Sequence, residues 1–235
     1  MAVLLVAGAL AGILVGASQL GAAGEKADRR SASAPAAALT SSEPVAFAEP
    51  LLAGIPQQGA ALGSPTAPVT LVEYADLQCP YCAEWAHETL PILVSDYVRT
   101  GKLRIVFRGL AFIGPDSETA LRTALAAGDQ NHLWDVVDGL YAYQGHENAG
   151  WVTEGLLDQL LAAVPGLDRE RAQAERDAPW VEGEIAEAAA AAERAGVTGT
   201  PAFELGPTGG RLELAEIRSL GPEGIRPAID ALLGR

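Results

Sequence analysis

The stretch Val69-Thr70-Leu71-Val72-Glu73-Tyr74-Ala75-Asp76-Leu77-Gln78-Cys79-Pro80-Tyr81-Cys82 decides the fold. Its opening residues, Val69 to Tyr74, are mostly apolar or β-branched. They follow the turn-forming run Gly63-Ser64-Pro65-Thr66-Ala67-Pro68, so they read as a buried strand. After a short link, Pro80 suits the first position of a helix, where its missing N–H costs nothing. Cys82, Ala86, Leu90, Leu93 and Tyr97 then recur at helical spacing, with a kink expected at Pro91. A buried strand thus runs into a helix whose first turn carries both cysteines of the chain.

That placement has chemical consequences. A cysteine at a helix N-terminus faces unpaired N–H groups and the positive end of the helix dipole, which stabilise a thiolate. Cys79 is therefore expected to be the exposed nucleophile. Cys82, one turn further in, is expected to be buried and placed to resolve a mixed disulfide on Cys79. With 2 cysteines in all, neither a disulfide scaffold nor a four-thiolate metal site can be built. Cys79, Cys82 and His87 could offer three metal ligands, but a fourth is missing, and c-type haem attachment needs histidine where Ala83 stands. No metal and no cofactor is expected.

Outward from this stretch, Leu103-Arg104-Ile105-Val106-Phe107 alternates as a second strand, with Leu103, Ile105 and Phe107 on one face. Helical patterning fills Pro115 to about Ala195, broken at Gly128, Gln144 to Gly150, Pro165-Gly166 and Pro179. Trp134, Tyr141, Tyr143 and Trp151 read as the core of this helical part, and His87, His132 and His146 as surface or helix-capping residues. Strand character returns at Ala202-Phe203-Glu204-Leu205, which is expected to pair with Arg211-Leu212-Glu213-Leu214 as a hairpin across Gly206 to Gly210. Pro222 is expected to open a last helix with Ile225, Ile229, Leu232 and Leu233 on its apolar face. The order of strand, helix, strand, helices, hairpin and helix defines an α/β class.

The net charge of -14, from 16 basic and 30 acidic residues, argues against nucleic acid as a partner. Ala2 to Gly24 carries no charged residue and is long enough to span a bilayer, longer than the apolar core of an ordinary signal peptide. The alternative is cleavage after Ala32-Ser33-Ala34, where Pro35 fits poorly. Lys26, Arg29 and Arg30 follow the segment, and on their own they would hold the body of the chain in the cytoplasm. The redox reading places it outside, with a basic start expected upstream of Met1. Gly8, Gly12 and Gly16 would give a smooth helix face, but 26 glycines produce that spacing by chance. Residues 25–48 read as an Ala/Ser/Pro-rich linker.

Residues from about Leu51 onward resemble the DsbA-type thioredoxin-fold thiol:disulfide oxidoreductases, in particular the anchored forms of Gram-positive and actinobacterial envelopes. The resemblance is carried by Gly63 through Cys82 and by Gly196-Val197-Thr198-Gly199-Thr200-Pro201-Ala202-Phe203. It implies a thioredoxin-like fold with an inserted helical domain. The corresponding division is 1–24 anchor or signal segment, 25–48 linker, 49–114 first thioredoxin-like part, 115–180 helical insertion and 181–235 second thioredoxin-like part. It implies a cis peptide bond before Pro201, with the Thr200 backbone free to pair with a substrate strand, and substrate contacts at Pro80 and Tyr81. Glu73 matches the position of a buried carboxylate that moves the proton of the resolving thiol. On pattern alone Glu73 fits either that role or an edge position facing water.

The implied activity is donation of a disulfide to reduced exported proteins. The pair would be reoxidised by a membrane partner of DsbB or vitamin-K-epoxide-reductase type. A reductase or isomerase on the same fold, a metal-handling protein and a chaperone-like binding module are the competing readings. In DsbA the nucleophile titrates near about 3.5, against about 8.5 for a free thiol, helped by a histidine where this chain has Tyr81. A milder oxidant is therefore expected, with Cys79 between those two values.

Overall fold

The computed structural model describes residues 51–234. The expected membrane segment and linker lie outside the described residues. Among the described residues no helix is long and apolar enough to cross a membrane.

Six strands form one sheet in the order β1-β2-β4-β3-β5-β6. They are β1 (Gln57–Gln58), β2 (Ala61–Leu62), β3 (Val69–Ala75), β4 (Leu103–Gly109), β5 (Ala202–Pro207) and β6 (Glu213–Leu214). Strand β3 is central, parallel to β4 and antiparallel to β5, and every residue in it is buried. That double burial explains its nearly unbroken apolar run. The period of two sorts its side chains: Val69, Leu71 and Ala75 join the main core, whereas Val72 and Tyr74 pack with Ala188, Ala191 and Ala192 of α7 (Pro179–Ala195). Glu73 shares the phase of Leu71 and Ala75, the face lying under α1 (Pro80–Glu88).

Helix α1 ends at Glu88 and the chain resumes as α2 (Leu90–Leu93), which runs into a π-helical turn at Val94–Val98. The break falls ahead of Pro91, whose ring cannot continue the α-helical ladder, and at the buried Thr89, whose hydroxyl donates to the Leu220 carbonyl at 2.5 Å. Helices α3 (Pro115–Gly128), α4 (Leu133–Ala142), α5 (Glu154–Ala163) and α6 (Arg169–Glu175) pack on one another between β4 and α7. Trp134 and Tyr141 are buried in this part, whereas Tyr143 and Trp151 are only half-buried.

Helix α7 closes on Gly196 in the left-handed conformation and delivers the chain to Pro201. The expected hairpin is shorter than its sequence pattern. Only Glu213 and Leu214 form ladder pairs with β5, and nearer the turn the Arg211 carbonyl lies so close to Gly206 that a Cβ there would sit 2.4 Å from it. The last helix, α8 (Arg226–Leu232), follows a 3-10 turn at Pro222–Gly224; it buries Ile225 and Ile229 but leaves Leu232 exposed.

One buried carboxylate joins the sheet to the helical part. Asp76, directly after β3, accepts from the Gln78 N–H (2.9 Å), the Phe112 and Ile113 N–H groups (3.1 Å each) and the Ser117 hydroxyl (2.6 Å). Ser117 lies in the first turn of α3, so the loop before Cys79 and the start of the insertion share one anchor. Removing this carboxylate strands four donors, two of them buried and two part-buried. Asp76→Ala is expected to cost about 3–5 kcal/mol, read as a lower urea midpoint at unchanged slope; a midpoint close to wild type would contradict this account of the anchor.

Candidate active site

Cys79 is the N-cap of α1, with φ -71° and ψ 120°, and Pro80 follows at the first helical position. No side chain caps this end, and the Tyr81 and Cys82 amides of the first turn act on the sulfur. The Cys82 thiol, hydrogen-bonded to Cys79, is the main influence holding the Cys79 thiol down at about 6. Burial opposes it, and the Thr200 side chain and the Cys82 and Tyr81 amides add to it. The value falls between the free thiol and the strongly acidic cysteine of DsbA, the interval expected from the sequence. In its protonated form, Cys79 donates to the Thr200 carbonyl at 3.4 Å.

The two sulfurs differ in access. Cys82 is fully enclosed at 0% exposure, while Cys79 keeps 5%. The open nucleophile expected from the sequence is instead largely covered, with the Thr200 carbonyl lying against its sulfur. The Thr200–Pro201 peptide bond is cis. Pro80 is exposed, and Tyr81 is 60% exposed on the first turn of α1, so the aromatic ring faces water rather than the sulfur.

Glu73 lies beneath the pair, only 2% exposed, and its backbone is flanked in register by Phe107 on β4 and Phe203 on β5. Trp85 of α1 packs on Phe203 with ring centroids 4.2 Å apart. Of the two sequence-level alternatives for Glu73, water-facing edge or buried carboxylate, the structure has the second. Burial among these rings raises its pKa to about 8. The Trp85 indole N–H pulls it back slightly without reaching ordinary hydrogen-bond geometry. The same burial, together with the Cys79 and Glu73 charges, pushes the Cys82 thiol far up, so Cys82 stays protonated.

Several polar residues of this site were not legible in the sequence. Asp76 and Gln78 are fully buried in what reads as a short link. Gln144 and Asn148 come from a stretch that reads as a plain helix break, and Tyr141 reads as insertion core. Gln144 Nε2 donates to the carbonyls of Leu77 (2.9 Å) and Cys79 (3.2 Å). Gln78 Nε2 reaches Ser117 Oγ at 3.0 Å, and the Asn148 N–H donates to Gln78 Oε1 at 2.7 Å. The Tyr141 hydroxyl donates to the Asp76 carbonyl at 3.4 Å, and burial pushes its pKa well up. Among the described residues no group of three or more potential ligands is arranged to hold a metal ion.

A strand, a helix-capping dithiol and a cis-proline loop converging in this way define a thioredoxin-fold redox site. A family model described as thioredoxin matches residues 56–211, and the chain belongs to that family. It is 31% identical over 143 residues to a probable disulfide bond formation protein D from Bacillus anthracis, covering 60% of this chain and 66% of that protein's length. A thioredoxin-like oxidoreductase from Silicibacter pomeroyi superposes with a TM-score of 0.59 at 27% identity, covering 80% of this chain and 99% of its own. BdbD from Bacillus subtilis superposes with a TM-score of 0.66 at 22% identity, covering 77% of this chain and 98% of its own.

In Cys82→Ser, where the serine hydroxyl takes over the hydrogen bond to the sulfur, thiolate absorbance is expected to rise with a midpoint below that of a free cysteine and towards about 6; a midpoint at or above that of a free cysteine contradicts the site description. The folded value lies below the free-thiol value, so the stability it lends the reduced protein is full above the free-thiol pKa and is lost as pH falls through about 6. Glu73 has the opposite sign. Its folded value is raised from 4.5 to about 8, so stability falls as pH climbs through that window, where the unfolded chain has released the proton and the folded chain has not. Glu73→Gln is expected to gain up to about 3 kcal/mol at neutral pH and nothing in acid, measured by denaturant unfolding across pH; an equal effect at both ends would remove the burial argument.

Proposed function

We propose that the chain is an extracytoplasmic thiol:disulfide oxidoreductase that donates the Cys79–Cys82 disulfide to reduced exported proteins. The single observation that carries this is the pairing of a low-pKa, slightly open Cys79 with a sealed, high-pKa Cys82 above Glu73. A substrate thiolate attacks Cys79 of the oxidised pair and forms a mixed disulfide, and the S–S bond to Cys82 breaks. Cys82 leaves as a thiolate in an apolar setting, and Glu73, protonated near neutral pH, is placed to supply its proton. A second substrate thiolate then attacks the substrate sulfur of the mixed disulfide. Cys79 departs as a stabilised thiolate, a good leaving group, and the substrate has lost two electrons to the pair.

Thr200, half-buried beside Cys79, offers backbone for an extended substrate segment, and the exposed Pro80 and Tyr81 form the adjoining contact surface. Residues 115–180 act as the helical insertion between the two thioredoxin-like parts. The uncharged Ala2 to Gly24 segment tethers the domain to the membrane, the linker gives it reach, and the reoxidising partner is a membrane protein of DsbB or vitamin-K-epoxide-reductase type. The relatives named for disulfide bond formation support this direction of electron flow.

The test is oxidative refolding. The oxidised chain is expected to convert a reduced, unfolded substrate protein to its disulfide form in stoichiometric amounts. Cys79→Ser should be inactive, and Cys82→Ser should accumulate a mixed disulfide through Cys79. Failure of the oxidised chain to transfer its disulfide, with efficient reduction of insulin by the dithiol form, would assign the opposite direction.

A further inference from the structure

The loop Asp76-Leu77-Gln78-Cys79 is held along its length by the helical part of the molecule. The Tyr141 hydroxyl lies at the Asp76 carbonyl (3.4 Å), Gln78 is bracketed by Ser117 and Asn148, and Gln144 Nε2 spans the Leu77 and Cys79 carbonyls at 2.9 and 3.2 Å. The last contact is the one made on the redox residue itself. We propose that Gln144 is a positioning residue for Cys79, fixing its backbone and tying the chemistry of the pair to the seating of the helical insertion. This rests on the redox reading above and deepens it.

The Cys79 carbonyl accepts from three N–H donors: Cys82 (3.1 Å) and Ala83 (3.2 Å) from α1, and Gln144. The first two belong to the helix and follow wherever it goes. Gln144 belongs to the segment after α4, so it alone of the three relates Cys79 to the insertion. Because one amide nitrogen bridges carbonyls two residues apart, it also sets the spacing of the turn that aims Cys79 at Thr200. Its N–H dipoles offset the negative ends of the Leu77 and Cys79 carbonyls in the loop that presents the sulfur. Without Gln144 the Cys79 carbonyl keeps only the Cys82 and Ala83 amides, so the Cys82 amide that also favours the thiolate is drawn more to that oxygen and the thiolate rises in energy. The ionisable groups around Cys79 are the Cys82 thiol on α1, Glu73 on β3, Asp76 in the loop and Tyr141 on α4, and replacing Gln144 alters none of them.

The test uses the full chain with Gln144→Met, which keeps the side-chain length and removes the donors. In the Cys82→Ser background, the thiolate titration is expected to move up by about 0.5–1 pH unit, the scale of one hydrogen bond. With the pair intact, the equilibrium with glutathione should shift about threefold to fivefold towards a stronger reductant, roughly 15–20 mV. Gln144→Glu, of the same size but placing an anion against two carbonyls, should move both readings further in the same direction, and it reads the same titration should the methionine variant not fold. A merely structural role would lower the melting temperature of these variants and leave the thiolate midpoint at the wild-type value, which overturns the proposal. A wild-type chain that does not exchange with glutathione at all would defeat the underlying redox reading instead.

Discussion

Everything in this molecule depends on keeping a sulfur ionised at the start of α1 while its neighbour one turn away stays protonated. The two thiols share four residues of sequence and are driven apart in acidity by position alone. Cys79 sits where the Cys82 thiol, the Thr200 side chain and the first-turn amides favour charge, and Cys82 sits where burial and the adjacent Cys79 sulfur forbid it. Such a difference lets the pair break its disulfide in one sense, with the outer sulfur held by the substrate and the inner one released.

The sheet supplies the inner environment. Strand β3 is flanked on both sides, so Glu73 has Phe107 and Phe203 as register neighbours, with Trp85 packed at a tilt on Phe203. The carboxyl therefore costs the fold stability and holds its proton near neutral pH, a conflict that is understandable if the proton has a use. The helical part supplies the outer environment. Through Asp76, Gln78, Gln144 and Asn148 it holds the loop that presents Cys79, and that loop in turn meets the Thr200–Pro201 turn.

How much of this was legible in the sequence depends on the range of the interaction. The run from Val69 to Cys82 displays its strand, its helix start and its two sulfurs locally, because a period of two, a proline at the first helical position and a four-residue spacing are all short-range signals. The phase of Glu73 with Leu71 and Ala75 was readable. Its enclosure was not, since that required knowing that β4 and β5 flank β3 on opposite sides. β1 and β2, two residues each, are too short to show any period. Asp76, Gln78, Gln144 and Asn148 look like ordinary loop polars, and their partners lie tens of residues away. The partial cover over Cys79 comes from Thr200, which no inspection of the cysteine motif alone could reveal.

The reduction potential of the Cys79–Cys82 couple against glutathione addresses the central claim most directly. Stabilising the Cys79 thiolate, but less strongly than DsbA does, places the couple between the roughly -270 mV of thioredoxin and the roughly -120 mV of DsbA. A potential at or below that of thioredoxin would mean that the ionised sulfur does not favour the dithiol, and the account of a disulfide donor would fail.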